Sequence, residues 1–293
     1  MDAHALHFGF KTTQYIPYED IRRAWLEADP IEEIDSAWLF DHPMPIGRGD
    51  PAGYCLDGWT TLAALAAQTS RLRLGLMVAS NTNQTPPWLA KRAATVDVIS
   101  GGRLEFGFGA GGGEREHTAY LTDLFPAAER VRRLEEAIQI IRRMWTERAV
   151  DFAGKYYQVV EAYCEPKPIQ QPTPPFVIGG AGEQLTLRVV AKQADVWNFP
   201  GWAGVGRPDI GEFTRRNDVL NRHCEEIGRD PATIRRSAQM IVTREKPEDI
   251  REDILALIRA GASHFVIGMR PPIEGAAKWL AEEVIRPVRE AVG

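Results

Sequence analysis

The chain has 293 residues, 44% of them hydrophobic and 26% charged, with a formal net charge of −5. That length holds one large α/β barrel or two ordinary domains, and that composition supports a packed interior. The acidic balance argues against nucleic acid as a partner, and no apolar run reaches the ~18 residues of a membrane span.

The N-terminal MDAHALHFGFK has no basic region leading into an apolar stretch, so no secretory signal is read. Cys55, Cys164 and Cys224 are far apart and lack CxxC spacing. Free thiols in a cytoplasmic protein fit this pattern better than a disulfide framework or a zinc site.

Apolar periodicity gives the elements in order. His4–Phe10 reads as the first strand and Pro17–Ala28 as a helix. Ala37–Phe40 is the second strand, and a Gly/Pro-rich loop, 43–54, follows it. Asp57 is a candidate N-cap for the helix 58–69. Leu72–Val78 is the third strand, and the helix from Pro86 stops at Gly101-Gly102. Leu104–Phe108 is the fourth strand, followed by glycines 109–113 and a long helix, 127–146.

Residues 151–175 read as irregular chain lying over one end of the fold. Phe176–Ile178 is the fifth strand. It leads into the turn Gly179–Gly182, a helix over Glu183–Lys192 and a sixth strand, 194–197. Further strands are expected at 234–242 and 264–267, with helices at 208–227, 247–260 and 273–292. Eight β/α units without a linker or composition shift predict one (β/α)8 TIM barrel over residues 1–293, with an open doubly wound sheet as the competing topology.

In such a barrel the residues after each strand gather at one mouth. They are Lys11-Thr12, Asp41-His42, Ala79-Ser80-Asn81, Gly109–Gly111 with Glu114, Glu116 and His117, Gly179–Gly182, Asn198, and Met269-Arg270. The turn Gly179–Gly182 before a helix N-terminus suits a phosphate, though a ligand-free tight turn explains it equally.

Gly107–Gly112 matches GxGxxG but follows the fourth strand, where a dinucleotide fingerprint belongs in the first βα unit. Glycines there instead let backbone approach a flat ligand. His42 is the acid/base candidate, with Asp41 beside it able to influence its charge; a histidine bonded to a loop carbonyl is the structural alternative. No HxH or HExxH spacing supports a metal. His4, His7, His223 and His264 read as strand-edge or surface residues. Arg130–Arg133 and Arg142-Arg143 read as a solvated helix face.

Several segments carry a resemblance: WLFDH (38–42), LAKRAATVDVISGGRLEFGFGAG (89–111), EREHTAY (114–120), ERVRRLEEAIQIIRRMW (129–145) and FVIGGAGEQLTLRVVAKQADVWN (176–198). Through them the chain resembles the luciferase-like monooxygenase superfamily, and within it the branch using the deazaflavin coenzyme F-420. The resemblance implies a ring at the barrel mouth over Val78, Ala79, Ser80, Asn81, Gly109, Ala110 and Gly111. It implies a ribityl phosphate on Gly179, Gly180, Ala181 and Gly182, a non-proline cis peptide around Met77–Ser80, and a homodimer. It also implies an active-site role for His42, which matches the histidine of sugar-phosphate dehydrogenases.

Two departures matter. Gly112 stands where many relatives place an aromatic residue or an acidic proton donor, which leaves Glu114 or Glu116 for that role. Asn83-Gln84-Thr85-Pro86 replaces an Arg-His-Pro, so a sugar-phosphate substrate does not carry over.

The expected reaction is hydride transfer between F-420 and a small organic substrate. His42, Asp41 and Glu116 are the catalytic candidates, and Ser80, Asn81 and Asn198 would orient ring or substrate. Arg48, Arg115 and Arg207 are candidates for the cofactor's polar tail. The alternative is a monooxygenase using reduced FMN and O2, supplied by a flavin or F-420 reductase. A non-catalytic flavin-binding barrel is a third reading. A phosphosugar isomerase or aldolase ranks below them, since only Lys11 offers it a strand-end lysine.

Overall fold

The computed structural model describes residues 5–46, 50–120, 124–200 and 208–293; His4, Arg48 and Arg207 lie outside the described residues. The barrel strands are β1 (His7–Lys11), β2 (Ser36–Leu39), β3 (Arg73–Leu76), β4 (Ala79–Ser80) and β5 (Phe106–Gly109). Two further strands, β6 (Val150–Ala153) and β7 (Gln158–Ala162), stand apart as an antiparallel hairpin. The barrel resumes with β8 (Phe176–Gly179), β9 (Val196–Phe199), β10 (Arg235–Val242) and β11 (His264–Met269).

All barrel pairings are parallel, in the order β3-β2-β1-β11-β10-β9-β8-β5-β4. β3 and β4 are halves of one strand, parted by Met77-Val78, whose peptide bond is cis. The Leu74–Leu104 bridge and the β4–β5 pair close the ring, which is the eight-unit barrel expected.

The helices are α1 (Tyr18–Ala28), α2 (Gly58–Ala66), α3 (Pro86–Ser100), α4 (Glu114–Tyr120), α5 (Ala127–Thr146), α6 (Thr186–Gln193), α7 (Ile210–Glu226), α8 (Pro247–Arg259), α9 (Ala276–Leu280) and α10 (Arg286–Val292). Asp57 caps α2, accepting from Thr60 N at 2.8 Å. Gly101 ends α3 with φ 70°, the left-handed turn that glycine permits. No helix among the described residues is long and apolar enough to cross a membrane.

Strand side chains alternate between two layers. Phe8, Phe10, Phe106, Phe108, Phe176 and Phe265 are fully buried in the main core, against the helices. Trp38, Met77, Val177, Val196 and Val266 form a separate cluster that fills the barrel axis. Polar residues share this inner layer, including Ser36, Asn198 and Ser237, all buried.

The hairpin corrects the expectation of irregular chain over 151–175. Its strands are largely exposed, Val160 at 81%, so no buried periodicity marks them in the sequence. The segment also runs along the barrel wall and not across one end. Glu136 of α5 accepts from the backbone N–H groups of Lys155, Tyr156 and Tyr157 at 2.9–3.1 Å. Asp97 of α3 accepts from Ile169 N at 2.7 Å and Gln170 N at 3.1 Å.

Three smaller corrections concern charge. His264 is 1% exposed inside the barrel and His223 is 8% exposed, so neither is a surface residue. His7 faces His264, ring centroids 4.9 Å apart. Arg133 and Arg142 lie over the rings of Phe125 and Phe176, at 3.7 and 4.5 Å, and do not simply face solvent.

Candidate active site at the barrel mouth

The C-terminal strand ends enclose a cavity of ≈ 450 Å³. Its walls include Asp41, His42, Val78, Ala79, Ser80, Gly109, Ala110, Gly111, Glu116, Gly179, Gly180 and Asn198, which the sequence had placed at the mouth. Asn81, Ala181 and Gly182 are not among its walls.

Asn81 turns sideways under the hairpin. Its Oδ1 is 3.5 Å from the Tyr157 hydroxyl, and its Nδ2 is buried without a hydrogen-bond partner. The wall adds Met77, Gly112 and Gly113, and also Thr186, Pro200 and Gln239, which the sequence reading passed over. Gln239 was legible in one respect. Arg235, Ser237 and Gln239 are polar at every second position of a strand whose other face is apolar after Arg236, which marks an inward face.

His42 is paired with Glu116 and not with Asp41. Its Nδ1 is 2.8 Å from Glu116 Oε1, across 74 residues of sequence. Glycines 111–113 turn the chain from β5 into α4, and the first turn of α4 carries Glu116 inward at 5% exposure. Glu114 and Arg115 of the same helix are exposed, so Glu116 is the acid of the cluster that reaches the cavity. His117 folds back onto Gly113 O at 2.8 Å.

Asp41 does a different job. Its Oδ2 accepts from Ser80 N at 2.9 Å, and its carbonyl accepts from Asn83 Nδ2 at 2.9 Å. It therefore ties the β2 end to the loop after β4. Burial pushes its carboxyl up to about 7, and the Ser80 bond only partly opposes this.

Gly109 and Gly179 do make room, but for Val78. A Cβ on Gly109 would stand 2.7 Å from Val78 Cγ2, and one on Gly179 would stand 3.0 Å from Val78 Cγ1. The glycines thus seat the Val78 side chain in the mouth, while both still line the cavity. Gly109→Ala is expected to cost about 1–3 kcal/mol by overpacking. Gly112→Ala, whose Cβ would meet nothing within 4 Å, stays within about 0.5 kcal/mol of the parent. Urea titration of the two variants checks the contrast, and equal losses would refute it.

The turn after β8 also differs in detail. α6 starts at Thr186, three residues later than expected, so the glycines do not lead directly into the helix. Gly180 N donates to Asn198 O at 3.1 Å, and Gly180 O accepts from Trp197 Nε1 at 2.8 Å. Arg216 of α7 stands at this turn, donating to Ala181 O at 2.5 Å and pairing with Glu183 at 3.4 Å.

A closed parallel βα-barrel with a cavity at its mouth is the class that this architecture defines. The luciferase-like monooxygenase family profile matches residues 7–289, and the chain belongs to that family. An uncharacterised protein of Mycobacterium tuberculosis is 35% identical over 143 residues, 48% of this chain and 49% of that protein. An F-420-dependent glucose-6-phosphate dehydrogenase of Amycolatopsis mediterranei is 34% identical over 193 residues, 64% of this chain and 54% of the relative. The chain thus spans about half the length of these curated relatives. The structure of an F-420-dependent secondary alcohol dehydrogenase, in complex with an F-420-acetone adduct, superposes with TM-score 0.84. It covers 97% of this chain and 99% of that one at 16% identity, a likeness of fold.

Proposed function

We propose that this chain is an oxidoreductase that transfers a hydride between coenzyme F-420 and a small organic substrate. The observation that carries the reading is the relationship to F-420-dependent dehydrogenases at 32–35% identity, joined to a mouth cavity where a half-exposed His42 is held by the buried Glu116.

The residues present fit a flat polar ring. Gln239 lines the cavity with its Oε1 engaged by Lys11, and its Nε2 has no partner among the described residues. Gly112 leaves open space beside the wall. Val78 fills the axis below, and Gln239 and Asn198 would hold the ring by its polar edge. Arg216 would offset charge near Gly179–Gly182. The bound cofactor would supply or accept the hydride.

The protein's own part is proton handling. Glu116 holds His42 by Nδ1, which leaves Nε2 as the nitrogen free to exchange a proton with substrate oxygen. The buried carboxylate of Glu116 fixes the ring's orientation. Asp41, pushed up to about 7, exists partly as a neutral acid near neutrality and keeps the neighbouring wall in register.

Fluorescence titration tests this reading. Purified protein is expected to quench F-420 with micromolar affinity and to reduce it anaerobically with an alcohol or aldehyde donor. The family's monooxygenase description supports one alternative, reduced FMN with O2. Oxygen consumption with reduced FMN, and no binding of F-420, would replace the first reading with the second.

A further inference from the structure

Lys11 ends β1 inside the barrel, where a charged side chain is costly. Its Nζ donates to Gln239 Oε1 at 3.1 Å and to Met77 O at 3.3 Å. Those acceptors lie on opposite sides: β10 is two strands from β1 in one direction and β3 two strands in the other. Both belong to residues that line the cavity. Both are neutral, and among the described residues no carboxylate pairs with Lys11. Burial lowers its pKa to about 8.

An ammonium has only donors, so the amide atom facing it must be the carbonyl oxygen. Lys11 therefore fixes the flip of Gln239 and leaves Nε2–H2 as the donor presented to the cavity. A methionine or leucine would fill the same space without the cost of burying a charge.

We infer that Lys11 is a positioning residue of the cofactor site. It holds Gln239 with its N–H donor toward the cavity, where that donor would meet the carbonyl groups of a bound flavin-type ring, and it places a positive charge next to that donor. This rests on the cofactor reading above. A hydride brings one proton and two electrons, so a neutral ring that receives it carries one net negative charge, which is shared with its carbonyl oxygens. The donor and the cation favour that anion over the oxidised ring. A charge-assisted hydrogen bond is strong enough to shift the balance about tenfold.

The test compares affinity for oxidised and reduced F-420 in wild type, Lys11→Met and Gln239→Leu. Oxidised cofactor is followed by fluorescence quenching, reduced cofactor by anaerobic competition, and fold by circular dichroism. Lys11→Met is expected to bind oxidised F-420 within about threefold of wild type and reduced F-420 about tenfold more weakly. The midpoint potential of the bound cofactor falls accordingly. Gln239→Leu keeps the charge, loses the donor and shifts the ratio in the same direction; it decides alone if Lys11→Met does not fold. An unchanged ratio in the folded variants overturns the assignment of Lys11 while leaving the cofactor reading intact. A wild type that binds neither F-420 nor FMN overturns the cofactor reading and this proposal with it.

Discussion

Replacing His42 by alanine is expected to lower turnover about a hundredfold or more, within the range that one positioned acid or base contributes. The affinity for the cofactor is expected to stay within about threefold, because Nδ1 is committed to Glu116 and His42 is one of many residues that line the cavity. The two measurements separate proton handling from binding. Glu116→Gln keeps the shape and a hydrogen bond to Nδ1 but removes the buried negative charge. Its expected loss is about tenfold, through looser orientation of the imidazole. The double variant should be little worse than His42→Ala alone, since Glu116 acts through His42. Independent, multiplying losses would separate the pair and give Glu116 a role of its own. Steady-state rates with any donor that the wild type oxidises, paired with fluorescence titration, check all three variants.

The strand and helix order was legible because a βα-barrel repeats strong local signals. Most barrel strands are short apolar runs, most helices carry a buried stripe, and Asp57 and Gly101 mark ends by capping chemistry. The mouth residues followed from topology, since every parallel strand delivers its C-terminal end to the same place. Pairing was not legible. His42 and Asp41 are adjacent in sequence, yet His42 meets Glu116 and Asp41 meets Ser80 and Asn83. Such partners depend on how glycines 111–113 turn, which no periodicity records. The hairpin was missed because its strands bury no regular face. Lys11 was noted only as a strand-end lysine. Its importance rests on an amide two strands away that local sequence does not connect to it.

A second result is expected from acid titration of stability. His264 is 1% exposed, both its ring nitrogens lack hydrogen-bond partners, and His7 and Trp38 pack against it. Burial, with His7 adding repulsion, lowers its pKa from 6.5 to about 3. The folded protein therefore holds this imidazole neutral at pH values where the unfolded chain protonates it. The unfolded state binds more protons, so His264 makes stability fall as pH drops below about 6.5 and continues to do so down to about 3. Each pH unit well inside that window costs about 1.4 kcal/mol, which amounts to about 2 kcal/mol by pH 5. Asp41 acts in the opposite sense. Its pKa is raised from 3.8 to about 7, so its contribution to stability falls as pH rises between those values. Because the two slopes oppose each other, the wild-type curve alone is uninformative, and the difference between two proteins is the readout. His264→Phe fills a similar volume and cannot protonate. Relative to wild type, it is expected to gain about 2 kcal/mol in urea-derived stability on going from pH 7 to pH 5, whatever its offset at pH 7. Parallel curves for the two proteins over that interval would show that His264 is not held neutral by burial.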